Sequence, residues 1–439
     1  MSDEFAPTTA TAGGPALASQ VASFQSTFNN LRVTVLPKKA AGKGSLTDVL
    51  LATHAVLLTQ ALPDVIAIDL SELPLVVKTL GLPPLPPEFA PTLQNDLYAF
   101  ALQAGQVDGQ LYALAFTADV LHGAYTKVPI TTTIPLTITI ALTPTPSITA
   151  TSSITATSSI TATSAITATS AITATPLLTA TPSLTTSIIF TTTIITPTAP
   201  LTWNALMSST VKYAFAAGGE NGLVNDSLLA QYVALGGRFT DARGKLALDR
   251  DVLRDLLEFY RNGVTQGVIM PNVTNLKNND DVWKVYQSGK ATLVDVSARR
   301  YLLERAPLKD SDYVALPTRG GNLVTISRAW GYVIVTKDPA RRQAAMRFVE
   351  WMLATDHNAG WNRMANRVPT RRSALLAWTS DPPYREFMQR LLAVAVSRPP
   401  TAGNEILDTA LQNAINDVLL NNLSPTEAAD KAVAAVSKQ

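Results

Sequence analysis

The sequence predicts an α/β protein. Two observations carry this: segments with apolar residues at helical spacing lie beside runs that alternate like strands, and the chain, at 439 residues, is long enough for two or three domains around a substantial core. Ala16 to Asn30 places Leu17, Val21, Phe24 and Phe28 on one helical face, and Leu31–Arg32–Val33–Thr34–Val35–Leu36 then alternates as a strand does. Far along the chain, the strand-like run Tyr332 to Val335 leads through Lys337–Asp338–Pro339, a helix-start signal, into a helix with Ala345, Phe348, Val349 and Met352 on one face.

The order of such pieces resembles family 1 of the extracellular solute-binding proteins of ABC importers, the group that includes maltose-binding protein. The helix at Ala16 and the run at Leu31 are similar to that family's first helix and second strand. Residues 62–69, LPDVIAID, resemble its "PDv" strand, and 108–116, DGQLYALAF, its "DGklYalPf", with Ala115 where proline is usual. TWNAL at 202–206 resembles "TWdel"; Gly236–Gly237 precedes a helix in the usual place; GKATL at 289–293 resembles "GkaAm"; LSPTEAA at 423–429 resembles the closing helix. With the 329–371 stretch these cover residues 15–127 and 200–437. The resemblance implies a two-lobed periplasmic-binding-protein-like fold of class II, with lobes joined by crossover strands. The first lobe is expected to comprise 1–127 and 328–378, and the second 201–327 and 379–439.

Composition narrows the function. Thirty-five basic against 33 acidic residues leave a net charge of +2, and no basic run interleaved with aromatics points to nucleic acid. The lack of cysteine excludes disulfides, thiolate metal sites and cysteine nucleophiles. His54, His122 and His357 lie far apart, with no metal-ligand spacing, so neither metal nor cofactor is expected. His54 reads as an ordinary helix residue and His357 as a solvated residue past a helix end. His122 lies close to a stretch that lines the cleft in the family. No GxSxG, GxxxxGK[ST] or GxGxxG motif supports an enzyme.

Residues Met1 to Phe5 are acidic and no apolar export segment follows them. Family members begin with a strand that has no counterpart here. The expectation is that a signal segment, with a lipid-bearing cysteine as one option, lies upstream of Met1.

Residues 128–200 form a low-complexity insert. No charged residue occurs between Lys127 and Lys212, and a hexapeptide close to Ser-Ile-Thr-Ala-Thr-Ser recurs, with its aliphatic position at Leu142, Ile148, Ile154, Ile160, Ile166, Ile172, Leu178 and Leu184. Tyr125–Lys127 and Thr202–Trp203 bracket it where the family has a short loop. The composition favours a disordered, solvated loop; an O-glycosylated spacer and a strand or β-solenoid are the alternatives. Ser187 to Thr196 is the stretch suspected of aggregation.

The resemblance also implies where a solute would sit. Ser71 and Glu72 follow the "PDv" strand, and Thr117 and Asp119 follow "DGklYalPf". Tyr213 and Phe215 occupy a segment that carries stacking aromatics in relatives, and Trp330 matches a segment near the hinge. Arg299 stands where relatives place a stacking tryptophan, with Tyr301 close by to supply an aromatic face. Arginine at 299 would also suit an anionic group on the solute. Asp119 and the aromatics have plainer readings, as a cap and as core. Residues 404–410 lack the tryptophan found there in maltose-binding protein, which argues against maltodextrin. The expected function is that of a monomeric receptor outside the cytoplasmic membrane, delivering a sugar-like solute to ABC permease subunits. A surface adhesin built on the repeat and a hydrolase are the alternatives.

Overall fold

The structure, a computed structural model, describes residues 5–39, 62–127, 131–139, 154–155, 171–172, 185–193, 201–220, 222–308, 310–379, 381–399 and 405–438. The insert, Thr131–Thr193, forms a compact unit of its own.

The larger unit is organised by a sheet of seven strands: β1 (Val65–Asp69), β2 (Ala113–Thr126), β3 (Tyr213–Ala214), β4 (Leu293–Ser297), β5 (Ser311–Val314), β6 (Thr325–Ile334) and β7 (Ala395–Ser397). Its order is β1-β6-β2-β4-β3, with β5 also on β2 and β7 on β6. The 14-residue β2 does two jobs. From Ala113 to Val120 it pairs antiparallel with β6, and from Leu121 to Thr126 it pairs with β4 and β5. β6 pairs with β1 on its other side and with β7 at Thr325–Ser327, so β2 is the strand that belongs to both half-sheets. Nearly all of β2 is buried, as expected of a strand covered on both faces. At Gly123 a side chain would not fit, because a Cβ there would lie 2.6 Å from Val314 Cγ1 on β5.

In the first lobe, the helix Gly14–Thr27 buries Leu17, Val21 and Phe24, and Phe24 meets Phe348 edge-on at 5.2 Å. Phe348 belongs to the helix Pro339–Leu353, which starts as the sequence indicates: Asp338 accepts from Arg341 N, and proline occupies the first turn. Leu31 to Leu36 is not a strand. Val33 N donates to Gln25 Oε1 instead, so alternation alone does not make the segment a strand. His357 also departs from expectation. It sits within the helix Thr355–Met364, half-buried, with Nδ1 at 2.8 Å from Trp351 O. His54 lies outside the described residues.

In the second lobe, Trp203 stacks on Phe259 at 4.1 Å, and Ser424 and Glu427 form the capping box that opens the helix Pro425–Val436. No described helix is long and apolar enough to cross a membrane.

The ends of the insert are paired. Thr131–Thr139 runs antiparallel to Thr185–Thr193, and Ile154–Thr155 to Ala171–Ile172. In these segments β-favouring threonines and isoleucines satisfy their backbone groups by pairing with each other. The ladder takes in Ser187 to Thr193, most of the stretch suspected of aggregation. The rest of the repeat lies outside the described residues.

Candidate functional site

The crossover strands bring charged residues from separate parts of the chain to one level. Asp119 on β2 faces Arg328 on β6 in the ladder, and Asp69, the last residue of β1, faces Trp330. Side chains two apart on a strand share a face, so Arg328 and Trp330 point the same way. The β2–β6 register shifts between Trp330 and Gly331, an irregularity of the kind that re-aims side chains near binding sites. Gly331 lets Leu70 pack close there, because a Cβ would lie 2.7 Å from Leu70 Cδ2 and push that side chain aside.

Arg328 leaves 44% of its side chain exposed, and its Nε donates to Asp226 Oδ2 at 3.3 Å. Asp226 also accepts from Arg398 Nη1 at 2.5 Å, and Arg398 Nη2 donates to Asp408 Oδ1 at 2.8 Å. Burial would raise the Asp226 carboxyl, but Arg328 and Arg398 outweigh it and hold the group below the ordinary carboxylate range. Asp226 in turn raises Arg328, with Asp69 and Asp119 adding to the effect. Burial lifts Asp408 above its usual range against the pull of Arg398. A cavity of about 340 Å³ opens beside this network, with Asp69, Ser71, Gln103, Gln106, Arg328 and Arg398 on its walls.

Around that cavity the expected residues divide. Ser71 is a wall residue, half-buried, its N–H bonded to Asp69 Oδ1 at 2.9 Å, and Glu72 follows it half-buried. Asp119 is half-buried and accepts from Arg299 N at 3.0 Å, at the first turn of the helix Ala298–Glu304, so it works as a cap between crossover and second lobe. Arg299 itself is half-buried. Trp330 is half-buried and not on the cavity wall: the Arg367 guanidinium carbon lies 4.4 Å from its ring centre and 4.6 Å from that of Phe5, which meets Trp330 edge-on at 6.0 Å.

The other expected residues are enclosed. Thr117 is fully buried and donates to Asn362 Oδ1 at 2.6 Å. Tyr213 and Phe215 are buried in the second-lobe core, where their rings pack on each other at 5.4 Å. Tyr301 is buried among His122, Tyr313 and Tyr384, with Arg305 across its ring at 5.6 Å. His122 is buried in the same aromatic group; its Nδ1 lies 2.9 Å from Gly123 O and its Nε2 3.2 Å from Tyr384 O–H, and burial lowers its pKa to about 4. In this arrangement none of these rings presents a face to the cavity.

Sequence reasoning missed Asp69, Asp226, Arg328 and Arg398. Two of them left a signal: Asp226 follows the helix cap Asn225, and Arg328 stands two residues before Trp330 on an alternating strand. Arg398, after a three-residue strand, left none.

Known proteins were compared with this arrangement. The sequence pattern of a bacterial extracellular solute-binding protein family matches residues 133–386. No curated protein matches the chain in sequence. Several solved structures share its fold at low identity. The cyclic α-maltosyl-1,6-maltose binding protein of Arthrobacter globiformis is 15% identical with a TM-score of 0.68, over 97% of this chain and 95% of that one. The sugar-binding protein MalE of Xanthomonas citri is 15% identical with a TM-score of 0.66, over 97% and 95%. An ABC transporter solute-binding protein of Thermotoga lettingae, bound with α-D-tagatose, is 15% identical with a TM-score of 0.63, over 97% and 95%. With a match over more than half its length and a two-lobed fold shared with these receptors, the chain belongs to the bacterial extracellular solute-binding protein family.

Proposed function

We propose that the protein is the carbohydrate-binding receptor of an ABC importer and that it takes its solute at the cavity beside Arg328. One observation supports this most directly. Arg328 is engaged through Nε by Asp226, which leaves its terminal nitrogens for a solute, and it stands between the carboxylates of Asp119 and Asp69 next to the half-buried Trp330. A sugar hydroxyl both donates and accepts, so an arginine flanked by carboxylates can hold adjacent hydroxyls. Arg299 was the expected anchor for an anionic solute. Carboxylates at Asp69 and Asp119 weigh against that choice and favour an uncharged sugar.

Acting as a monomer outside the cytoplasmic membrane, the receptor would close its lobes on the solute and pass it unchanged to permease subunits, and closure would follow from differential affinity for the closed state. The similar structures from Arthrobacter and Xanthomonas are named as binding proteins for sugars, which supports this class of solute.

The test is calorimetric titration with tagatose, maltose, cyclic maltosyl-maltose, glucuronate and glucose 6-phosphate. At least one neutral sugar should bind, and Arg328→Gln should weaken it by about tenfold or more, the worth of one hydrogen bond to a charged group. A folded protein that binds none of the five would overturn the carbohydrate reading. Binding unaffected by Arg328→Gln would overturn the placement of the site.

A further inference from the structure

Next to Asp226 in sequence, Ser227 begins a second polar cluster that the solute site does not use. Ser227 and Gln231 come from the helix Asp226–Ala234, Asp295 from the middle of β4, Tyr213 from β3 and Tyr260 from the helix Arg250–Thr265, and all five are buried. Tyr213 O–H donates to Asp295 Oδ2 at 2.6 Å and accepts from Gln231 Nε2 at 3.2 Å. The Ser227 hydroxyl bonds to the same carboxyl. Asp295 Oδ1, Gln231 Oε1 and the Tyr260 hydroxyl have no hydrogen-bond partner among the described residues.

Among the described residues no cation stands opposite Asp295. The groups that face it are Tyr213, Tyr260, Gln231 and Ser227, and its ladder neighbour on β2 is Gly123. His122, next to Gly123, is engaged with Tyr301, Tyr384 and Phe387. The helix Asn279–Gln287, packed on β4, buries Val282, Trp283 and Tyr286 and keeps Lys284 exposed. Arg398 and Arg328 are committed to Asp226 and Asp408. A carboxylate at Asp295 would therefore be a buried charge with hydroxyl hydrogen bonds from Tyr213 and Ser227 but no cation to balance it.

We propose that Asp295 is a proton-operated switch in the second lobe. As a carboxylic acid it is a neutral member of the cluster. As a carboxylate it forces apart β4 and the helix Asp226–Ala234, and so loosens Asp226, the shared partner of Arg328 and Arg398. Burial pushes the Asp295 carboxyl up to about 7, which sets the range in which the switch works. The folded state binds this proton more tightly than the unfolded chain. Its contribution to stability is therefore full below the ordinary aspartate range, is lost as pH rises from about 4 to about 7, and changes no further above that.

The experiment compares the protein with Asp295→Asn, which is neutral at every pH. Between pH 4.5 and 7 the wild-type melting midpoint should fall relative to the variant by about 2 °C per pH unit or more, and the difference should level off above pH 7. After correction for intrinsic exchange, amides of the helix Asp226–Ala234 should exchange about tenfold faster at pH 8 than at pH 5.5 in the wild type only. Selective carbon-13 labelling of aspartate adds a readout that needs no variant: one carboxyl should titrate near neutrality. A difference in midpoint that stays flat from pH 4.5 to 7, or aspartates that all titrate near 4, would overturn the switch. None of these readouts needs a bound sugar, so their failure would leave the proposed receptor function standing.

Discussion

Asp226 accepts from two arginines, Arg328 on β6 and Arg398 just past β7, and Arg398, with 5% of its side chain exposed, also depends on Asp408. Asp226→Asn should cost about 2–3 kcal/mol in urea unfolding, less than the 3–5 kcal/mol of a fully enclosed ion pair because Asp226 keeps 22% of its side chain exposed. The pH dependence at this residue is opposite to that of Asp295. The Asp226 carboxyl is held low, so the stability it adds is present at neutral pH and lost as pH falls through and below the ordinary carboxylate range. Individual residues were the least legible part of the sequence. Tyr213, Phe215 and Tyr301 have the composition of a sugar platform, yet burial within the second lobe decided their use. Arg328 and Arg398 are ordinary arginines in sequence, and only the crossing of strands brings both to Asp226.

Elements with a local signal were read well. The helix Pro339–Leu353 carries its cap, its proline and its apolar face within one stretch of chain, and the helix Pro425–Val436 carries a complete capping box. Leu31–Leu36 shows the limit of such reading, since a strand is defined by a neighbour as much as by alternation. β2 is the element on which most pairing depends, and Gly123 is its tightest point. Gly123→Ala should cost about 1–3 kcal/mol through overpacking against Val314, a β-branched side chain with little freedom to yield. Val314→Ala in the same chain should recover part of that loss, and a double-mutant cycle by chemical denaturation would measure the coupling.

Across the whole molecule, two-lobed architecture was legible because motifs from both lobes occur in family order, while the insert announced itself by composition alone. Its own compactness gives a direct expectation: removing Thr131–Thr193 should leave the melting midpoint of the remainder within about 2 °C, as for a unit that is compact by itself. A larger drop would mean that the main unit leans on the insert. The continuity of β2 bears on how such a molecule can open. One unbroken strand belongs to both half-sheets, bonded to β6 through its first part and to β4 and β5 through its second. It cannot swivel at a single residue without breaking ladder bonds, so any lobe movement has to be spread along it as small increments of bend and twist. The joint behaves as a leaf spring and not as a pin: displacement stores elastic energy that grows with the square of its size, and the strand itself supplies the force that returns the lobes to rest.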